Sequence, residues 1–215
     1  MLNKLRTISI ISLAGVTVAF VYHLFLGKVP SFLFINQLHN PFLDRFFKYF
    51  TNFGDGLIWI PILIFAMIFT KKKMSLVAAN FAISTLLAQG LKRLVFSDAL
   101  RPSTLINDGY VLHFVEGVKM YSQNSFPSGH TATAFAAAFT ITMLLRKKNK
   151  LKYLFVIMAF LVAYSRVYLA QHYPVDVVAG AIIGIISTFI SIYMIALFKQ
   201  KKKAIYLDLA EEKAI

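Results

Sequence analysis

The sequence predicts an all-α fold: a polytopic membrane helical bundle of six transmembrane helices. Three observations predict it: the apolar excess of the whole chain, its division into blocks of near-membrane length, and the placement of lysine and arginine around those blocks. Of 215 residues, 58% are hydrophobic and 21 are Phe, and the mean hydropathy is +0.67. A soluble domain is usually about 45–50% apolar. The excess falls in six blocks: Ile8–Leu26, Leu57–Thr70, Met74–Val95, Thr131–Leu145, Tyr153–Ala170 and Val175–Phe198. About 20 helical residues cross a bilayer, so the second and fourth blocks need flanking residues to span. The blocks take up most of the chain, which reads as a single membrane domain over residues 1–215, ending in a short cytoplasmic tail, 204–215.

The first block follows Lys4 and Arg6 but has no small-x-small cleavage site at its end, so it reads as an uncleaved span rather than a secretory signal. The formal net charge is +14. With the amino terminus inside and six alternating spans, the inside receives Lys4 and Arg6, Lys71–Lys73, the run from Arg146 to Lys152, the run from Lys199 to Lys203, and Lys213. That is the positive-inside bias at both internal loops and both termini. The charge therefore reads as topology signal and attraction to anionic lipid headgroups, not as a nucleic-acid footprint. There is no Cys, which removes disulfides, thiolate nucleophiles and Cys-ligated zinc.

Between the first two blocks, Pro30–Gly56 mixes Phe32, Phe34, Phe42, Phe46, Phe47 and Phe50 with Asp44, Arg45 and Lys48. It suits an amphipathic helix in the interface, or a helix packed over the bundle mouth. Asn52-Phe53-Gly54-Asp55-Gly56 reads as a turn. Ser97–Phe126 is the longest polar connection, on the outside. Such long loops are often functional. Gly180-x-x-x-Gly184 and the alanines from Ala132 to Ala138 read as close helix packing.

Under this topology the third and fifth spans end, and the fourth and sixth begin, on the outer side. Lys92, Arg93, Arg101, Ser128, His130, Arg166, His172 and Asp176 then converge on one outward-facing pocket. Ionisable residues at membrane depth are costly and suggest function. Pro127-Ser128-Gly129-His130 opens a helix, with Ser128 as N-cap and Gly129 allowing close approach of a ligand. Free amides at such a start, with the dipole, favour an anion. In His172-Tyr173-Pro174-Val175-Asp176 the carboxylate can turn back onto the imidazole and fix its tautomer. Arg101 and Arg166 are able to grip phosphate oxygens in bidentate fashion. No carboxylate cluster suggests a divalent metal, and no cofactor is implied. His23, His39 and His113 read as interfacial or loop residues.

Arg101-Pro102, Pro127-Ser128-Gly129-His130 and Ser165-Arg166-x5-His172-x3-Asp176, all on one face, closely resemble the signatures of the type-2 phosphatidic acid phosphatase family. That family of membrane lipid phosphatases shares its helical core with vanadium haloperoxidases. The resemblance covers roughly 52–197, the expected phosphatase core. It departs at the first signature, Lys-x6-Arg-Pro. Here Lys92 and Arg101 are separated by eight residues and Arg93 and Arg101 by seven, which leaves open whether Lys92 or Arg93 fills the lysine's place.

The resemblance implies that His172 attacks phosphorus to give a phosphohistidine and Asp176 orients it. It implies that His130 protonates the leaving alkoxide and then activates water, while Lys92, Arg101, Ser128, Gly129 and Arg166 bind phosphate oxygens. The reading is a bacterial inner- or cell-membrane phosphatase, its active site periplasmic or extracellular, acting on a lipid phosphate or pyrophosphate. Undecaprenyl pyrophosphate, phosphatidylglycerophosphate, phosphatidic acid and lipid A are equally open. The alternatives are a lipid-to-lipid phosphotransferase and a non-catalytic lipid-phosphate-binding membrane protein. The partners are the lipid phosphate and the surrounding lipids, with no nucleic acid. The sequence leaves the oligomeric state open.

Overall fold

The computed structural model describes residues 2–212, with side chains from Asn3 to Lys202. Among these residues there are eight α-helices and no strand: α1 Arg6–Leu26, α2 Lys28–Asn36, α3 Pro41–Phe50, α4 Trp59–Phe69, α5 Met74–Gly90, α6 Gly129–Leu144, α7 Leu151–Tyr168 and α8 Pro174–Glu212. The expected tail is thus the end of α8 over 204–212, and 213–215, with Lys213, lie outside the described residues.

The all-α class holds, but the count of six spans does not. Among the described residues, four helical stretches are long and apolar enough to cross a membrane: Arg6–Leu26, Lys71–Val95, Leu151–Tyr168 and Pro174–Lys202. A fifth is added only if Pro41–Gly54 and Gly56–Phe69, bent by 59°, count as one. The two short blocks account for the correction. The block Leu57–Thr70 yields α4, with 11 residues. The block Thr131–Leu145 yields α6, with 16 residues, about 24 Å of helix against a hydrocarbon core of about 30 Å.

Helix α6 is apolar because protein, not lipid, surrounds it. It packs against α5, α7 and α8, and buried residues occur along its whole length, from Thr131 to Leu144. Its alanines bring those neighbours close. On α8, a Cβ added at Gly180 would strike the Ser128 carbonyl, and one at Gly184 the Ala132 carbonyl. The Gly-x-x-x-Gly pattern therefore packs α8 onto α6. Polar groups join the same helices. Asn80 of α5 donates to Thr140 Oγ1 at 2.7 Å and Thr188 Oγ1 at 2.9 Å, and accepts from Ser187 Oγ at 2.9 Å. In a medium without water such a hub satisfies every partner internally.

The stretch after α1 forms two short helices. Asn40 caps α3, its side chain accepting from Leu43 N at 2.9 Å, and Pro41 opens the first turn. Phe47 is buried against Tyr164 and Tyr168 of α7, while Phe42 and Tyr49 stay exposed. At the opposite end of the bundle, Lys4 Nζ donates to Leu145 O at 2.6 Å and Lys73 Nζ to Met143 O at 2.7 Å. The amino terminus, the Lys71–Lys73 turn and the end of α6 thus share one face.

Candidate active site

Helix α6 begins where its sequence expects it to. Ser128 is extended, and its side chain accepts from Thr131 N at 3.4 Å and Thr131 Oγ1 at 2.9 Å. The first amides of an α-helix have no intrahelical acceptor, so the start of α6 is short of negative charge. Gly54 lies against it. A Cβ there would come within 2.7 Å of the His130 carbonyl, so the Gly54 turn and α6 meet only because the position is glycine.

The segment between α7 and α8 folds back on itself. Gln171 N and His172 N both donate to Arg166 O, at 3.0 and 3.1 Å. Ala170 takes a left-handed φ of 54° to make the reversal. Arg166 and His172 therefore face the same side. Pro174 opens α8, and Asp176 lies in its first turn. Its Oδ2 accepts from Ser125 Oγ at 2.5 Å, Tyr173 N at 3.0 Å and His172 Nδ1 at 3.4 Å. Ser128 N donates to Asp176 O at 3.0 Å. A main-chain bond thus joins the two helix-opening motifs, and Ser125, two residues ahead of the first, adds a side-chain bond.

Arg101 enters from the loop between α5 and α6. Its Nε donates to Gln123 O at 2.9 Å, Nη1 to Gln171 O at 3.1 Å, and Nη2 to Asn124 O at 3.2 Å. Arg166 Nη1 donates to Thr51 Oγ1 at 2.8 Å, while its buried Nε has no partner. The last cations come from a π-helical turn, Leu91–Val95, at the end of α5. Such turns are rare and concentrate at functional sites. This one brings the neighbouring Lys92 and Arg93 to the same cavity wall.

These elements enclose a cavity of about 1100 Å³. Lys92, Arg93, Arg101, Gly129, His130, Arg166 and His172 line it. Ser128 and Asp176 do not. Ser128 is buried as the cap of α6, and Asp176 stands behind His172. Its apolar walls are Leu57, Ile60, Phe81 and Ala88, the first three also exposed on the outside of the bundle. Burial pushes the His172 imidazole down to about 3, with Arg101 and Arg166 adding to the effect and Asp176 opposing it. Burial also lowers the Arg101 guanidinium. Among the described residues no three His, Asp or Glu side chains are grouped to hold a metal ion.

A family model described as the PAP2 superfamily matches residues 72–200, more than half of the chain. The chain belongs to the PAP2 superfamily. It is 31% identical over 167 residues to an undecaprenyl-diphosphatase of Sulfolobus acidocaldarius, covering 77% of each chain. It is 33% identical over 165 residues to a lipid A 4'-phosphatase of Bacteroides thetaiotaomicron, covering 71% of this chain and 69% of that one. The crystal structure of Aquifex aeolicus LpxE matches with a TM-score of 0.67 at 34% identity, covering 77% of this chain and 94% of that one. Like its PAP2 relatives, the chain is an integral-membrane enzyme, a phosphatase acting on lipid phosphates.

The candidate site contains residues that carry no motif. Gln171 contacts both arginines, Ser125 holds Asp176, and Thr51 holds Arg166. Position was the available signal for two of them. Gln171 is the residue before His172, and Ser125 lies two before Pro127. Thr51 gives none, since its partner is 115 residues away. His39 and His113 lie apart from the cavity. Their rings stack at 3.8 Å, and His113 Nε2 pairs with Asp44 Oδ1 at 2.9 Å.

Proposed function

We propose that this enzyme hydrolyses a lipid phosphate monoester or lipid pyrophosphate at the outer face of the membrane through a phosphohistidine on His172. The observation that carries the reading is the buried His172–Asp176 pair. Nδ1 faces the carboxylate, so it holds the proton, and Nε2 is left with its lone pair for the cavity. Because burial keeps this imidazole neutral, the lone pair persists across the working pH range.

In the first step His172 Nε2 bonds to phosphorus and the bond to the leaving oxygen breaks. That oxygen takes the electron pair and receives a proton from His130. In the second step neutral His130 accepts a proton from water, the water oxygen bonds to phosphorus, and the P–N pair returns to His172. Lys92, Arg101 and Arg166, with the first amides of α6 at Gly129, stabilise the charge on the equatorial oxygens. Ser128 acts by fixing those amides. Arg93 shares the wall with Lys92, so the lysine role falls to the turn that carries both.

Sidedness is supported by charge. Lys4, Lys73 and the Arg146–Lys152 loop sit at the end of the bundle away from the cavity, and a basic end faces the cytoplasm. The exposed apolar walls at Leu57, Ile60 and Phe81 suit a substrate whose tail stays in lipid. The relatives' names point to an isoprenoid diphosphate in one case and lipid A in the other, at similar identity. The test is phosphate release by the purified protein from undecaprenyl pyrophosphate, phosphatidylglycerophosphate, phosphatidic acid and lipid A. Release from at least one, lost in His172→Ala, is expected. Release from none of the four would count against the reading.

A further inference from the structure

Gln171 is 1% exposed and lies between the two guanidinium groups. Its Oε1 accepts from Arg101 Nη1 at 3.2 Å and from Arg166 Nη2 at 3.4 Å. Guanidinium has donors only, so the amide oxygen must face it. The Nε2 on the other side donates to Lys119 O at 3.1 Å and Leu169 O at 3.4 Å and touches Met120 Sδ at 3.3 Å. One buried amide thus connects Arg101, Arg166 and the loop between α5 and α6.

Two like charges held together away from water repel strongly. Pairing them with a carboxylate would relieve the repulsion. Among the described residues the ion pairs are His113–Asp44 and His172–Asp176, and neither includes these arginines. All their hydrogen-bond acceptors are neutral: Gln171, the carbonyls of Gln123 and Asn124, and the Thr51 hydroxyl. A neutral acceptor fixes a guanidinium without cancelling its charge.

We propose that Gln171 is a positioning residue that holds Arg101 and Arg166 side by side as one phosphate clamp, and that its neutrality keeps the clamp's charge for the substrate. The proposal rests on the reading of both arginines as phosphate ligands. It separates geometry from charge. A carboxylate in the same place would hold the arginines better and bind phosphate worse.

The test uses the purified full chain and two variants. Gln171→Glu keeps shape, adds charge and loses the Nε2 donor, and Gln171→Met keeps length and removes both hydrogen-bonding groups. Thermal unfolding, orthovanadate inhibition, and kcat and KM for a short-chain lipid phosphate are measured on each. Gln171→Glu gains ion pairs with both arginines but turns its second oxygen on the Lys119 and Leu169 carbonyls that Nε2 served, so it should fold with an unfolding temperature near the parent's. It should nevertheless bind vanadate about tenfold or more weakly, with KM rising more than kcat falls. Gln171→Met, its clamp unfixed, should lose about 10²-fold in kcat/KM. If Gln171→Met does not fold, Gln171→Glu alone decides. Parental vanadate affinity and KM in a folded Gln171→Glu would overturn the proposal. Arg101→Ala separates the two layers. If it leaves vanadate binding unchanged, the phosphate-ligand reading fails and takes this proposal with it. If it weakens binding and Gln171→Glu does not, only the role of Gln171 fails.

Discussion

At the C-terminal end of α6, Lys4 and Lys73 donate to the carbonyls of Leu145 and Met143, whereas at its N-terminal end Lys92, Arg101 and Arg166 line the cavity beside Gly129 and His130. Both ends gather cations, but the helix dipole treats them oppositely. It is negative at the C-terminus, where the lysines answer it, and positive at the N-terminus, where the arginines add to it. The lysine end is therefore electrostatically complete. The other end has cations on a positive helix start, held by neutral acceptors, and is completed only by an anion.

The largest effect that probes this contrast is at the site end. His172→Ala should remove turnover by on the order of 10⁴-fold or more, as loss of a nucleophile does, measured as phosphate release under saturating lipid. His130→Ala should lose about 10²–10⁴-fold in rate. With a p-nitrophenyl phosphate leaving group the loss in the first step should shrink, because that alcohol departs with little protonation. An equal loss with both leaving groups would argue against His130 as the acid. Asp176→Asn should bind vanadate like the parent and attack slowly, since the imidazole loses its orienting anion. Weaker vanadate binding with unchanged kcat would reverse that assignment.

Acid stability sharpens the comparison by direction alone. The folded His172 titrates near 3, below the ordinary value of about 6.5. Between these values the unfolded chain binds the proton and the folded chain does not, so stability is present above about 6.5 and falls as pH drops toward 3. Thermal unfolding followed from pH 7 to pH 4 should show the fall, and His172→Asn should flatten it. The smallest effect belongs to the lysine end. Lys73→Ala should cost about 0.3–1 kcal/mol of stability and leave kcat/KM within about twofold, as a helix cap remote from the cavity would. A large loss of activity there would erase the contrast between the ends.

Sequence pattern reached some of this architecture and missed the rest for physical reasons. α1, α7 and α8 are long apolar runs, and length plus composition marks them. α6 is equally apolar but too short to span, because hydropathy cannot tell a face turned to lipid from one turned to other helices. The site motifs were legible where chemistry is local. Ser128 precedes its helix by one residue, and His172 and Asp176 are one turn apart. The contacts that fix the clamp were not, since Arg101 meets Gln171 across 70 residues and Arg166 meets Thr51 across 115. The π-helical turn at Leu91–Val95 lies between these cases. The altered spacing before Arg101 announced an irregularity, and only the backbone showed that it presents Lys92 and Arg93 together.

If His172 is the nucleophile, the phosphoryl group passes through its imidazole at the anion-seeking end of α6. The most direct measurement is rapid acid-free quenching of the enzyme with phosphorus-labelled lipid substrate, followed by mapping of the labelled residue. Label should appear on His172, be lost in His172→Ala and accumulate in His130→Ala when p-nitrophenyl phosphate is the donor. Label on His130, or undiminished labelling in His172→Ala, would contradict it.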